Sequence, residues 1–158
     1  MYSNNHYHNF NPYNNQYFQA RNSTDLVTDI QKAINGEYSA VACYAQLAEM
    51  APTLSIRDQI LEIKQDEQRH LDEFSRIYLN LTGRKPTPQF TEGCPNSYFE
   101  GLEYAFKDEQ ETVDFYLDTA DKAQDILTKK VLRRAASDEQ NHAVWFLFFM
   151  QKMQANSI

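Results

Sequence analysis

The chain reads as an all-α protein, an antiparallel four-helix bundle with one long crossover between its second and third helices. Three observations carry that reading. Four Gly and five Pro in 158 residues leave long stretches without a breaker, and three of the prolines (Pro86, Pro88, Pro95) fall in one segment. Apolar residues recur at three- and four-residue steps over four separate stretches. The second half also repeats the first. Shifted by 72 residues, Glu37 pairs with Glu109, Val41 with Val113, Tyr44 with Tyr116, Ile60 with Leu132 and Phe74 with Phe146. The same shift lays Asp66-Glu67-Gln68-Arg69-His70 on Asp138-Glu139-Gln140-Asn141-His142. A repeat of this length is a statement about the fold before it is one about any motif.

Residues 1–22 stand apart as a low-complexity tail rich in Asn, Tyr, His and Phe without an acidic residue. Its composition predicts a flexible segment, or an aromatic arm for assembly, and His6 and His8 offer loose metal binding at most. Residues 23–154 form the predicted bundle. Ser23-Thr24-Asp25 supplies a capping hydroxyl and an acidic first turn for the first helix. Its inner face runs Leu26, Ile30, Ala33, Ile34, Glu37, Val41, Tyr44, Ala48 and Ala51, up to Pro52. Gly36, beside Glu37, predicts a close helix approach. Ser55 opens the second helix, whose stripe is Ile56, Ile60, Ile63, Glu67, His70, Phe74, Ile77 and Leu81, with Gly83 as its C-cap. Residues 83–96 are the linker. Ser97 with Glu100 makes a capping box for the third helix, with Leu102, Ala105, Phe106, Glu109, Val113, Tyr116 and Ala120 inward. A break at residues 123–125 leads to the fourth helix, with Leu132, Ala135, Glu139, His142, Phe146, Phe149 and Met153 inward.

Each helix thus carries a glutamate on its greasy face, near mid-length. A helix of about 26 residues is about 40 Å long, and the linker spans up to about 50 Å when extended. It can run the length of the bundle and join two antiparallel hairpins about a pseudo-two-fold axis. All four carboxylates then fall at one level. Glu and His three apart share a helix face, so each repeat aims an imidazole at the same point. Unpaired buried charges cost several kcal/mol each, and no Lys or Arg lies on these faces at that level. Two divalent cations would balance four carboxylates and leave both His neutral as nitrogen ligands.

The net charge of −7 and the lack of a basic patch argue against nucleic acid. No apolar run is long enough for a membrane span, and the start lacks a signal-peptide pattern. Cys43 and Cys94 form no CxxC, and the default expectation is reduced thiols in a cytoplasmic setting. Ala143 to Met150 is apolar on every side, whereas a bundle helix needs one stripe. Trp145 and Phe148 therefore predict cover from another subunit or from the tail, and a homodimer.

The paired Glu and Glu-x-x-His pattern over residues 24–153 resembles the ferritin-like di-metal carboxylate superfamily, and its rubrerythrin and bacterioferritin members most. The resemblance implies Glu37, Glu67, His70, Glu109, Glu139 and His142 as ligands of two iron or manganese ions per subunit, with Glu67 and Glu139 bridging. It implies that Asp66 and Asp138 hold the histidines across the bundle, and that Tyr44 and Tyr116 hydrogen-bond ligand carboxylates. The implied function is a di-metal, first of all di-iron, oxidoreductase of peroxidase or ferroxidase type, acting on hydrogen peroxide or O2 in oxidative-stress protection or iron handling. Three departures shape the expectation. Thr112 stands where rubrerythrins carry a further Glu, which puts their ligand-exchange cycle in doubt. The absence of CxxC leaves the reductant to an external donor. No fifth helix follows Met153, which favours a small oligomer over a storage shell. A dimanganese catalase and a coat-like assembly protein with a merely structural metal site are the alternatives.

Overall fold

A computed structural model describes residues 12–91 and 93–155, with side chains from Thr24 onward. It contains four helices: α1 (Pro12–Met50), α2 (Leu54–Thr82), α3 (Tyr98–Lys122) and α4 (Ile126–Ala155). The first part of the predicted tail, including His6 and His8, lies outside the described residues. The helix start expected at Ser23 is not a start, because α1 runs through it from Pro12. No glycine or proline interrupts residues 13–35, and proline is favoured in a first helical position. Ser, Thr and Asp inside a helix each cost only a few tenths of a kcal/mol.

The other helix ends follow local chemistry. Thr53, rather than Ser55, caps α2, its hydroxyl accepting from the Ile56 N–H at 3.3 Å. Gly83 closes α2 in the left-handed conformation (φ 70°), its N–H donating to Leu79 O at 2.8 Å. Ser97 caps α3 by accepting from Glu100 N–H, and its hydroxyl donates to the Glu100 carboxylate at 2.9 Å. Asp125 accepts from Thr128 N–H at 2.7 Å at the start of α4.

α1 packs along α2, α3 packs along α4, and the hairpins meet through α1 with α3 and α2 with α4. Two apolar clusters fill the interior. One contains Ile30, Ile34, Phe74, Ile77 and Leu132, the other Leu47, Ile60, Ile63, Leu102 and Phe146. In all four sequences the glutamates fall between the two. Val41, Val113 and Leu81 are not fully buried, while Cys43, Leu47 and Leu71 are. Gly36 makes no close approach, since a Cβ there would meet nothing within 4 Å. The tight contact is at Gly101, where a Cβ would overlap Leu47 Cδ2.

The crossover climbs α1 in parallel. Gln89 N–H donates to Asn35 Oδ1 (3.0 Å), Thr91 N–H to Ser39 Oγ (3.2 Å) and Gln46 Nε2 to Pro95 O (3.1 Å), while Phe90 packs on Tyr38. Cys43 and Cys94 are joined in a disulfide there, which corrects the expectation of two reduced thiols. They lie far apart in sequence, and only the path of the crossover along α1 brings them to a Cα separation of 5.0 Å. The bridge closes a loop with a sequence separation of 51 residues. On the chain-entropy description, a loop of that length makes its removal cost up to about 4 kcal/mol. Cys94→Ser is expected to lower the denaturant midpoint accordingly at unchanged helical content, measured by circular dichroism.

Candidate metal centre

Helical periodicity does most of the placing. Glu67 and His70 sit one turn apart on α2, Glu139 and His142 on α4, and Glu37 and Glu109 face them from α1 and α3. None of the six is more than 3% exposed. His70 Nδ1 lies 3.1 Å from Glu67 Oε2, 3.1 Å from Glu139 Oε1 and 3.6 Å from Glu37 Oε1. His142 Nδ1 lies 2.9 Å from Glu67 Oε1, 3.1 Å from Glu139 Oε2 and 3.7 Å from Glu109 Oε2.

These side chains fall into two overlapping sets, Glu37, Glu67, His70, Glu139 and Glu67, Glu109, Glu139, His142. Within each set one potential ligand atom per residue lies within 4.8 Å of the others. Glu67 and Glu139 belong to both. They also own two buried oxygens, Oε1 of each, that accept no hydrogen bond. Imidazole nitrogens approach these oxygens, but off the line a hydrogen bond requires. Buried, unsatisfied carboxylate oxygens at the shared positions fit a pair of cations bridged by Glu67 and Glu139, and N/O donors of this kind suit iron, manganese or zinc.

The outer partners fix the inner ones. Tyr44 OH donates to Glu109 Oε1 at 2.6 Å, and Tyr116 OH donates to Glu37 Oε1. Burial, then the adjacent Glu109 and Glu37 carboxylates, push the two phenols well above their ordinary range, so both stay protonated as donors. Each tyrosine reaches across to the other half of the repeat. The aspartates do the same: His70 Nε2 lies 3.3 Å from Asp138 Oδ2, and His142 Nε2 lies 3.3 Å from Asp66 Oδ2. An Nε2–H held by a carboxylate leaves the Nδ1 lone pair facing the glutamates.

Without a cation the cluster holds protons instead. Burial, then the neighbouring Glu139 and Glu67 charges, raise Glu37 well above the carboxylate range. Burial and Glu139 push Glu109 up to about 8. Burial disfavours a charged His70, but its contacts with Glu139 and Glu67 outweigh this and push it up to about 12. His142 is raised likewise, by Glu109, Glu139 and Glu67 against the cost of burial. Protons and metal ions compete for these atoms.

The chain is 54% identical over 127 residues to the uncharacterized protein YhjR of Bacillus subtilis (strain 168), covering 80% of this chain and 88% of that one. The rubrerythrin family profile matches residues 100–158. The fold superposes on Desulfovibrio desulfuricans bacterioferritin, described with its diiron site in different catalytic states, with a TM-score of 0.76, 19% identity, and coverage of 87% of this chain and 84% of that one. A ferritin-like, diiron-carboxylate protein from Bacillus anthracis str. Ames gives a TM-score of 0.68 at 23% identity, covering 82% and 97%. The fold is ferritin-like, and the chain belongs to one family with the Bacillus subtilis protein.

One part of this centre escapes a reading by helical period. Arg69, outside the inner face, reaches Asp66 Oδ1 at 2.5 Å and Asp138 Oδ2 at 2.8 Å, and Arg134 adds a contact to Asp138 Oδ1 at 3.0 Å. No Lys or Arg lies on the inner faces at this level, as expected, and these two arginines reach it from outside them. The arginines serve the outer aspartates, whereas the glutamates have none. Burial opposes the Asp138 charge, but His70 and Arg134 more than offset it and hold the carboxyl below its usual range. The available signal was Arg69 three residues after Asp66, a helical ion-pair spacing. The repeat hid it, because the equivalent position is Asn141.

Proposed function

We propose that this centre binds two iron or manganese ions and reduces hydrogen peroxide or O2, with Fe(II) oxidation or peroxide removal as the outcome. Glu37, Glu67, His70, Glu109, Glu139 and His142 would hold the ions, with Glu67 and Glu139 shared by the two sets. The observation that carries the reading is the pair of orphaned Oε1 atoms on the two carboxylates common to both ligand sets. When bound, a pair of such ions supplies the two electrons that cleavage of an O–O bond requires.

The chain's own part is positional and electrostatic. Four buried carboxylates set a charge that two divalent cations cancel. Tyr44 and Tyr116 hold one oxygen of Glu109 and Glu37, leaving the other oxygen of each free to coordinate. Asp138 and Asp66 hold the imidazoles against rotation. The apolar clusters on either side keep bulk water from the layer. Electrons come from an external donor, since the two cysteines are tied to each other on the flank of α1.

The working unit in this proposal is a homodimer through the outer face of α4. Val144, Leu147 and Phe148 are 61%, 42% and 45% exposed there. Trp145 is partly covered within the chain, stacked on Phe149. Among the described residues, no helix is long and apolar enough to cross a membrane.

The test is anaerobic Fe(II) loading followed by one equivalent of peroxide. The expected result is two irons per chain and a rise in near-ultraviolet absorbance. Two irons bound without that rise rejects the oxidative reading. Stoichiometric O2 release by manganese-loaded protein without a reductant would select the catalase alternative.

A further inference from the structure

The two faces of the carboxylate layer are not equally closed. On the α2–α4 side the histidine rings lie between the glutamates and the outer aspartates, and Arg69 spans Asp66 and Asp138. Among the described residues, no arginine spans the α1–α3 side in this way. A cavity of about 150 Å³ opens there, lined in part by Lys32, Gly36, Ser39, Asp108 and Thr112. A smaller one of about 40 Å³ continues inward, lined by Gly36, Ala40, Asp108 and Thr112 and ending on Glu37 and Glu109. The two share Gly36, Asp108, Thr112 and Tyr116. The cavities at the crossover and at the Trp145 end of the bundle touch none of the six candidate ligands.

We infer that the gap between α1 and α3, walled by Gly36 and Ala40 on one side and Asp108 and Thr112 on the other, is the path by which cations and oxidant reach the centre, and that its width restricts the oxidant to hydrogen peroxide or O2. This rests on the di-metal reading above. The walls are pseudo-symmetric, since the 72-residue shift lays Gly36 on Asp108 and Ala40 on Thr112. Gly36 is exposed, and an added Cβ would meet nothing within 4 Å, so the glycine serves no helix packing and its missing side chain leaves the gap open. One water needs roughly 10–15 Å³ of such volume. The inner cavity of about 40 Å³ therefore takes a two-oxygen molecule and not an aryl or branched alkyl hydroperoxide. The carboxylates at its floor attract cations inward.

The experiment follows Co(II) uptake by the metal-free full-length protein, in the wild type and in Gly36→Leu and Thr112→Leu. Gln68→Leu, an exposed change on the opposite face, is the control. The two gap variants approach from opposite helices, so a folding defect in one leaves the other, and thermal melts check both. The expected result is unchanged stoichiometry at equilibrium with uptake slowed at least tenfold in both gap variants and unchanged in the control. Two ions bound at wild-type rate in both gap variants overturns the path while leaving the di-metal reading intact. No Co(II) bound by the wild type overturns both. In the iron-loaded protein, Thr112→Gly should raise the rate with cumene hydroperoxide relative to hydrogen peroxide at least tenfold. An unchanged ratio overturns the size restriction.

Discussion

Glu67→Ala is expected to abolish binding of the cation pair rather than of one ion. Glu67 is common to both four-residue sets, so its loss leaves three donors on each side and removes the bridge between them. Glu37→Ala touches only the set containing His70, and Glu109→Ala only the set containing His142. The three variants therefore separate by stoichiometry. Metal analysis after desalting should give two ions per chain for the wild type, one for Glu37→Ala and Glu109→Ala, and fewer than one for Glu67→Ala. Loss of a residue that only supports a ligand costs about 10–100-fold in affinity or activity, so removing a shared ligand should cost at least about 100-fold in peroxide-dependent turnover. Equal stoichiometry in all three variants would refute the assignment of Glu67 as a bridge.

Metal loading and the Glu67→Gln substitution are expected to move stability in opposite directions. A ligand that binds only the folded state at a thousandfold excess over Kd stabilises it by about 4 kcal/mol per site. For a chain of this size that raises Tm by at least about 10 °C. In metal-free protein the glutamates pair instead with His70 and His142, whose imidazoles they hold protonated. Glu67 lies 3.1 Å from His70 Nδ1 and 2.9 Å from His142 Nδ1, with all three side chains buried. Removing its charge leaves a buried imidazolium without its partner and should therefore lower the metal-free stability, by about 3 kcal/mol. Scanning calorimetry of the two proteins with and without Mn(II) checks this. A metal-free Glu67→Gln protein as stable as wild type would mean that Glu67 is not the partner of the two imidazoles. The gain on loading should shrink as pH falls, because protons compete for His70, His142 and the glutamates.

What the sequence could disclose is governed by range. Glu67 with His70 and Glu139 with His142 are legible because three residues is close to a helical turn, and the repeat then supplies the partner helices. Gly83 and Ser97 are legible for a similar reason, since a cap is decided within a few residues. The Cys43–Cys94 bridge was not, because it depends on how fifteen or so crossover residues lie against α1, which no local period encodes. Arg69 was missed because it works from an exposed flank of α2, outside the stripe a periodicity search inspects. The interhelical distance is not written in the sequence, so the close approach expected at Gly36 lies at Gly101 instead. The same residue type marks an open wall at one and a close contact with Leu47 at the other. The start of α1 was placed too late because a capping sequence is permissive, and helix propensity carries α1 through it.

The outer contacts have a further implication. Tyr44 serves Glu109, Tyr116 serves Glu37, Asp66 serves His142 and Asp138 serves His70, so every supporting bond joins one hairpin to the other. Neither hairpin alone carries a complete set, yet each carries one of every part. Two copies of a single hairpin facing each other about a true dyad would supply the same six donors with the same supports. In such a pair the crossover would be a tether, raising the effective concentration of one half for the other, and the chemistry would survive its being cut.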